Sequence, residues 1–150
     1  MSYTYLYVHI VFSTRKRQKS LLFSRRNEIY TYISGIINNL GCHKLAINGT
    51  IDHIHIFVNL SPAICLSDFV KTIKQSSTNW IKKNGILNGF DGWQEGYFAG
   101  SVGPDGIENC KKYIYNQNIH HNGKSFEAEM EWLNLKYEVE RNLKNGKNNG

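Results

Sequence analysis

Paired cysteines, prolines, acidic side chains and long apolar runs are all scarce in this chain. Of its 150 residues three are cysteine, two are proline and 12 are Asp or Glu, against 18 Lys or Arg. Cys42, Cys65 and Cys110 are odd in number and form no CxxC spacing, so reduced thiols are expected rather than a disulfide framework or a cysteine zinc site. The apolar stretches are strand-sized and broken by Thr, His or Asn, short of the ~20 residues a membrane helix needs. The first residues lack the charged region, apolar core and cleavage site of a secretory signal, so a soluble cytoplasmic protein is the expectation. Also missing is a second HxT or HxS motif, which a two-histidine phosphoesterase would need.

Positive charge is what the chain has in excess, and it is unevenly spread. Residues 1–124 hold 14 of the 18 basic and 7 of the 12 acidic residues, net +7, whereas residues 125–150 hold 4 and 5, net −1. A basic body with a pI near 9.2 suits a polyanion, nucleic acid first among them. With 41% hydrophobic residues, a chain of this length buries about 70% of its unfolded surface as one domain. Residues 1–141 are expected to form that domain, and the Asn-, Gly- and Lys-rich 142–150 a disordered tail.

Residues 3–14 alternate, with Leu6, Val8, Ile10 and Phe12 on one face and Tyr3, Tyr5, Tyr7 and His9 on the other, which predicts a half-buried strand. Leu22, Ile29, Ile33, Ile36, Ile37 and Leu40 then recur at helical spacing before Gly41. Residues 43–50 and 51–60 predict a hairpin turning near Asn48-Gly49 and ended by Pro62. A second helix over about 66–83 gathers Leu66, Phe69, Val70, Ile73, Ser77, Trp80 and Ile81 on one stripe, with Lys71, Lys74, Lys82 and Lys83 outward. Residues 93–102 predict a fourth strand. Asp105 and Glu108 offer a capping box for a third helix running to about His121, and Phe126, Met130, Leu133 and Tyr137 seam a fourth, acidic one.

The order βαββαβ points to an α+β, ferredoxin-like or RRM-like sheet of four antiparallel strands with two helices on one face. Its central first and third strands then carry Tyr5, Tyr7 and His9, and His53, His55 and Phe57, on the open face. Residues two apart on a strand share a face, so His53 and His55 can converge on one ion while Ile54, Ile56 and Val58 fill the core. Such a pair alone is more often solvated or hydrogen-bonded than metallated. The open face is where RRM-like modules stack bases, and also where a further helix can lie. On the third helix Tyr113 and Gln117, four apart, share a face, separate from the Ile107, Cys110 and Ile114 stripe.

An HxH pair with a hydrophobic middle residue, followed by a tyrosine and a glutamine four apart on a late helix, resembles the HUH single-tyrosine transposases of the insertion sequence 200/605 family. HIVFSTRKR, DHIHIFV, LSDFVKTIKQSSTNWIK, WQEGY and KKYIYNQNIHH occur in the family's order at similar separations. The chain departs after WQEGY, where it reads Phe98-Ala99-Gly100-Ser101-Val102-Gly103 and family members more often have an aromatic before Ser. The resemblance implies a catalytic domain whose added C-terminal helix carries the nucleophile. It gives Tyr113 that role and makes His53, His55 and Gln117 ligands of magnesium or manganese, although ligand type alone would equally allow zinc. It further implies cleavage and rejoining of single-stranded DNA, with hairpins at element ends, through a 5′-phosphotyrosine. A homodimer is implied too, in which the tyrosine helix can complete the partner's site.

Tyr115, the competing nucleophile, points about 200° away from Tyr113 and cannot share a face with Gln117. Arg15, Lys16, Arg17, Lys19, Arg25 and Arg26, at the end of the site-bearing strand, suit a phosphate track that Lys71 and Lys74 extend and that Lys111 and Lys112 bring to the tyrosine. His9 can reach the second shell of the histidine pair or contact DNA, as can His120 and His121, while Asp52 is placed to order the turn or a histidine. The alternative class is a non-catalytic RRM-like module that binds single-stranded nucleic acid, a domesticated relative, for which the Tyr113 and Gln117 pair has no use.

Overall fold

Strict alternation in the central strands builds the sheet. β1 (Tyr7–Ser13) and β3 (His53–Asn59) pair antiparallel, flanked by β2 (His43–Gly49) and β4 (Phe98–Ser101) in the order β2-β3-β1-β4. This is the ferredoxin-like arrangement expected. The computed structural model describes residues 1–117 and 125–148, with side chains in the last helix described through Glu138. It comprises two units, Met1–Asn118 and Ile119–Gly150.

In the first unit, α1 (Phe23–Asn39) and α2 (Leu66–Lys83) cover one face of the sheet. Ile10 and Phe12 of β1 and Ile54, Ile56 and Val58 of β3 meet Ile29, Ile33 and Ile37 of α1 and Phe69, Ile73 and Ile81 of α2 in one buried cluster. Each such fully buried side chain contributes roughly 1.5–3 kcal/mol, which is what fixes the register of the histidines on the opposite phase. Ser77 sits in this core because its hydroxyl donates to Ile73 O (2.6 Å) and accepts from the Trp93 indole N–H (2.9 Å). α3 (Ile107–Tyr115) crosses the other face, where Ile114 packs with Ala46 and Phe57, and Tyr7, Ile107, Cys110 and Tyr113 pack around them.

Several boundaries differ from the sequence expectation, each for a local reason. β1 starts at Tyr7, not residue 3, because its partner β3 ends at Asn59; Tyr3, Tyr5 and Leu6 are exposed. Leu21 rather than Leu22 enters the core, since α1 begins only at Phe23. The hairpin turns at residues 50–52: Asn48 and Gly49 belong to β2, and Gly49 is needed for space, a Cβ there colliding with the His53 carbonyl oxygen. The fourth strand shrinks to four residues, because Gly92 (φ +98°) and Gly96 (φ +88°) turn the preceding segment out of the ladder. The capping box is not formed. Asp105 lies in a 3-10 turn (Pro104–Gly106), Gly106 caps α3 without a side-chain bond, and Glu108 pairs with Lys111 instead.

α4 (Phe126–Asn148) constitutes the second unit. Ser125 opens it, its Oγ accepting the Ala128 N–H at 3.2 Å, while Glu127 and Glu129 in the first turn oppose the positive end of the helix dipole. The helix spans most of the 142–150 stretch that composition marks as a tail. No helix among the described residues is long and apolar enough to cross a membrane. His120 and His121 lie outside the described residues.

Candidate active site

β3 presents His53 and His55 on the face away from the core, both buried, with ring centroids 5.3 Å apart and ligand nitrogens within 4.8 Å of one another. Each ring is fixed through Nδ1. His53 Nδ1 lies 2.7 Å from Asp52 Oδ1 and 2.9 Å from Thr50 Oγ1. His55 Nδ1 lies 2.8 Å from Nε2 of His9, which reaches diagonally across the β1–β3 ladder. Both histidines therefore turn Nε2 toward any shared ion, with a carboxylate behind one and an imidazole behind the other, the support that metal-binding histidines generally have. Asp52 thus holds the His53 ring and His9 the His55 ring, with His9 itself buried.

α3 brings the tyrosine to this pair within a single chain. The Tyr113 ring stands edge-on to His55 (5.7 Å, 77°) and to His9 (5.9 Å, 75°), while those two imidazoles stack at 5.1 Å. Tyr115, two positions on, is exposed. Gln117 is buried, and its Nε2 donates to Tyr113 O at 3.1 Å; of its two amide ends, the oxygen is the one chemically suited to a cation. Two oriented imidazoles and one amide oxygen can hold a divalent cation, the imidazoles favouring borderline ions such as zinc and the amide oxygen harder ones such as magnesium or manganese.

Asn48 was legible only as a turn residue, yet it faces the site. It is the cross-strand partner of His55, and its Nδ2 donates to Ile114 O at 3.0 Å and Tyr115 O at 3.4 Å. The signal that finds it is strand phase: three loop residues put Asn48, Ala46 and His55 on one face.

The basic residues separate into two groups. Arg15, Lys16, Arg17 and Lys19 are exposed at the end of β1, Lys71 on α2 and Lys112 on α3. Lys16 and Arg17 hold left-handed backbone (φ +54° and +53°), and Gln94 Oε1 accepts the Lys16 N–H at 2.8 Å. Partners occur in both groups, Arg15 lying 3.9 Å from Asp91 Oδ2. Lys74 donates to Gln94 O (2.8 Å) and Gly96 O (2.6 Å) over the rings of Phe12 and Tyr97, and burial pushes its pKa down against the pull of Glu95. Arg25 pairs with Glu28 at 3.0 Å, and Lys111 with Glu108 at 3.6 Å. Arg26 donates to Leu21 O at 2.8 Å; burial lowers its pKa, while Tyr30 and Asp52 favour its charge. Arg15, Lys74 and Lys82 line a groove of about 390 Å³ at the end of β1, together with the amides of Gln75 and Asn79.

The fold has counterparts among known proteins. A candidate transposase of Deinococcus radiodurans R1 superimposes with a TM-score of 0.59 at 20% identity, over 78% of this chain and 95% of that one. A REP-associated tyrosine transposase, solved bound to a REP hairpin, superimposes at 0.62 with 16% identity, over 81% of this chain and 73% of that one. No curated protein matches the chain. Residues 2–117, which span the sheet, the histidine pair, Tyr113 and Gln117, match the sequence profile of the family described as transposase IS200 like, and the chain belongs to that family.

Proposed function

We propose that this transposase-family chain cuts and rejoins single-stranded DNA by covalent catalysis, with Tyr113 as nucleophile and His53, His55 and Gln117 as ligands of a divalent cation, magnesium or manganese. The observation that carries the reading is the edge-on packing of Tyr113 against His55, 5.7 Å between ring centroids in one chain. The phenolate oxygen attacks the phosphorus, the bond to the 3′ oxygen breaks, and the leaving 3′ oxygen takes a proton as a 5′-phosphotyrosine forms. The link retains the phosphodiester energy, so a 3′-hydroxyl can reverse the step on a new end without ATP.

When bound, the cation supplies Lewis-acid charge to the non-bridging oxygens and helps a phenol of ordinary pKa about 10 to ionise. The chain's own residues do the positioning. Asp52 and His9 hold the imidazoles, Gln117 ties its amide nitrogen to Tyr113 O, and α3 holds the phenol against the pair. Orientation of this kind is worth several powers of ten in rate.

The substrate we infer is a single strand with a hairpin, in keeping with the relative solved on a REP hairpin. Arg15, Lys16, Arg17, Lys19, Lys71 and Lys112 are proposed to contact its phosphates, with Lys74, Lys111, Arg25 and Arg26 contributing charge from behind, and His9 acting through His55 rather than on DNA. A cytoplasmic homodimer completes the proposal, and the packing of α3 on its own sheet favours a tyrosine that serves its own chain's histidines. The test is a covalent adduct on a denaturing gel, formed with end-labelled hairpin DNA and manganese and lost in Tyr113→Phe.

A further inference from the structure

We infer that Asn48 is a positioning residue that latches the tyrosine helix over the histidine pair; the inference rests on the proposed role of Tyr113. The last carbonyls of any helix lack partners within it. At the end of α3 two side-chain amides take them: Gln117 donates to Tyr113 O, and Asn48, from the sheet below, donates to Ile114 O at 3.0 Å and Tyr115 O at 3.4 Å. Gln117 follows α3 in sequence, so its bond is local to the helix end. Asn48 belongs to β2, so among these contacts it is the one that ties the helix end to the sheet.

Its register gives the tie a function. Asn48 is the ladder partner of His55, so the residue that holds the end of α3 sits directly beside a proposed metal ligand. Below Tyr113 the packing is apolar and non-directional: Ile114 rests on Ala46 and Phe57. Such contacts hold the helix on the face but resist sliding weakly, whereas two hydrogen bonds to adjacent carbonyls fix where along the face it stops. A displacement of about 1 Å at the nucleophile costs on the order of 100-fold in rate. Asn48 spends its amide donor on the end of α3, and acts through Tyr113.

Two substitutions separate the latch from mere packing. Asn48→Asp keeps the shape, removes the donor and sets negative charge against the negative end of the helix; Asn48→Ala removes the side chain. The latch predicts that both lower the single-turnover rate of adduct formation by about 10- to 100-fold, Asp at least as much as Ala. In Asn48→Ala, manganese affinity and KM for the hairpin stay within about twofold of wild type. Amide hydrogen exchange across residues 107–115 rises in both variants, with the β1–β3 ladder unchanged. Wild-type adduct rates in the variants, or unchanged exchange in α3, overturn the latch. So does a loss of metal affinity in parallel with rate, which makes Asn48 a residue of the histidine site itself. If wild type forms no adduct while exchange in α3 responds as stated, the proposed function fails and the holding role of Asn48 stands.

Discussion

At the scale of single residues, what distinguishes this site is that each histidine has its Nδ1 fixed by a neighbour. His53 relies on Asp52 and Thr50, and His55 on His9. Replacing Asp52 with Asn keeps the size but removes the charge that favours an Nδ1–H tautomer. Metal affinity should then fall by about 10- to 100-fold, as outer partners of ligating histidines generally do when mutated. Calorimetric titration with manganese checks this, and an unchanged affinity would deny Asp52 its orienting role. Tyr30 offers a second, unrelated measurement. Burial pushes its pKa up to about 12, partly offset by Arg26, and its hydroxyl has no hydrogen-bond partner among the described residues. With the folded pKa raised, the phenol is neutral in both states below the unfolded value near 10, and stability falls as pH climbs from there toward 12 because only the unfolded chain ionises. Tyr30→Phe should therefore be neutral or stabilising by up to about 1 kcal/mol at pH 7 and should flatten the alkaline loss of stability between pH 10 and 12. Urea unfolding at the two pH values decides it.

At the scale of elements, the WQEGY segment is a lashing rather than a strand. Trp93 bridges Thr14 and donates to Ser77, Gln94 accepts the Lys16 N–H, and the Gln94 and Gly96 carbonyls accept from Lys74. Ser77→Ala would strand the buried indole N–H and should cost about 1–3 kcal/mol, read by urea unfolding; a cost near zero would show that the bond is replaced. The contrast between β3 and β2 shows what sequence made visible. In β3 the alternation of His with Ile reports which face of the sheet each side chain takes, whereas the spacing of four between Tyr113 and Gln117 predicts one helix face and α3 ends at Tyr115, two residues short of Gln117. In β2 the Asn48-Gly49 pair mimics a hairpin turn, because a glycine kept for close backbone approach looks the same in sequence as one kept for a left-handed turn. Asp105 and Glu108 likewise have capping-box spacing, but a 3-10 turn ahead of α3 moves the cap to Gly106. Which basic residues face solvent was illegible for another reason. Lys74 and Arg26 meet backbone carbonyls supplied by segments distant in fold or irregular in shape, and no periodicity reports those.

At the scale of the whole molecule, charge and topology cooperate. The sheet order sets the two site-bearing strands at its centre, and the exposed basic turn after β1 leaves the sheet at the end where Ser13 pairs with His53. A single strand held there should bind with strong salt dependence, each neutralised phosphate adding about −0.7 to the slope of log K against log salt. Replacing Lys16, Arg17 and Lys19 together with Gln should lower the magnitude of that slope by about 2, measured by fluorescence anisotropy from 50 to 200 mM salt. An unchanged slope would move the phosphate track elsewhere. The proposed chemistry turns on Tyr113, and the most direct measurement is a denaturing gel of the protein incubated with end-labelled single-stranded hairpin DNA and manganese. Wild type is predicted to give a denaturant-resistant adduct that requires the metal and vanishes in Tyr113→Phe; an adduct that persists in Tyr113→Phe would contradict the account.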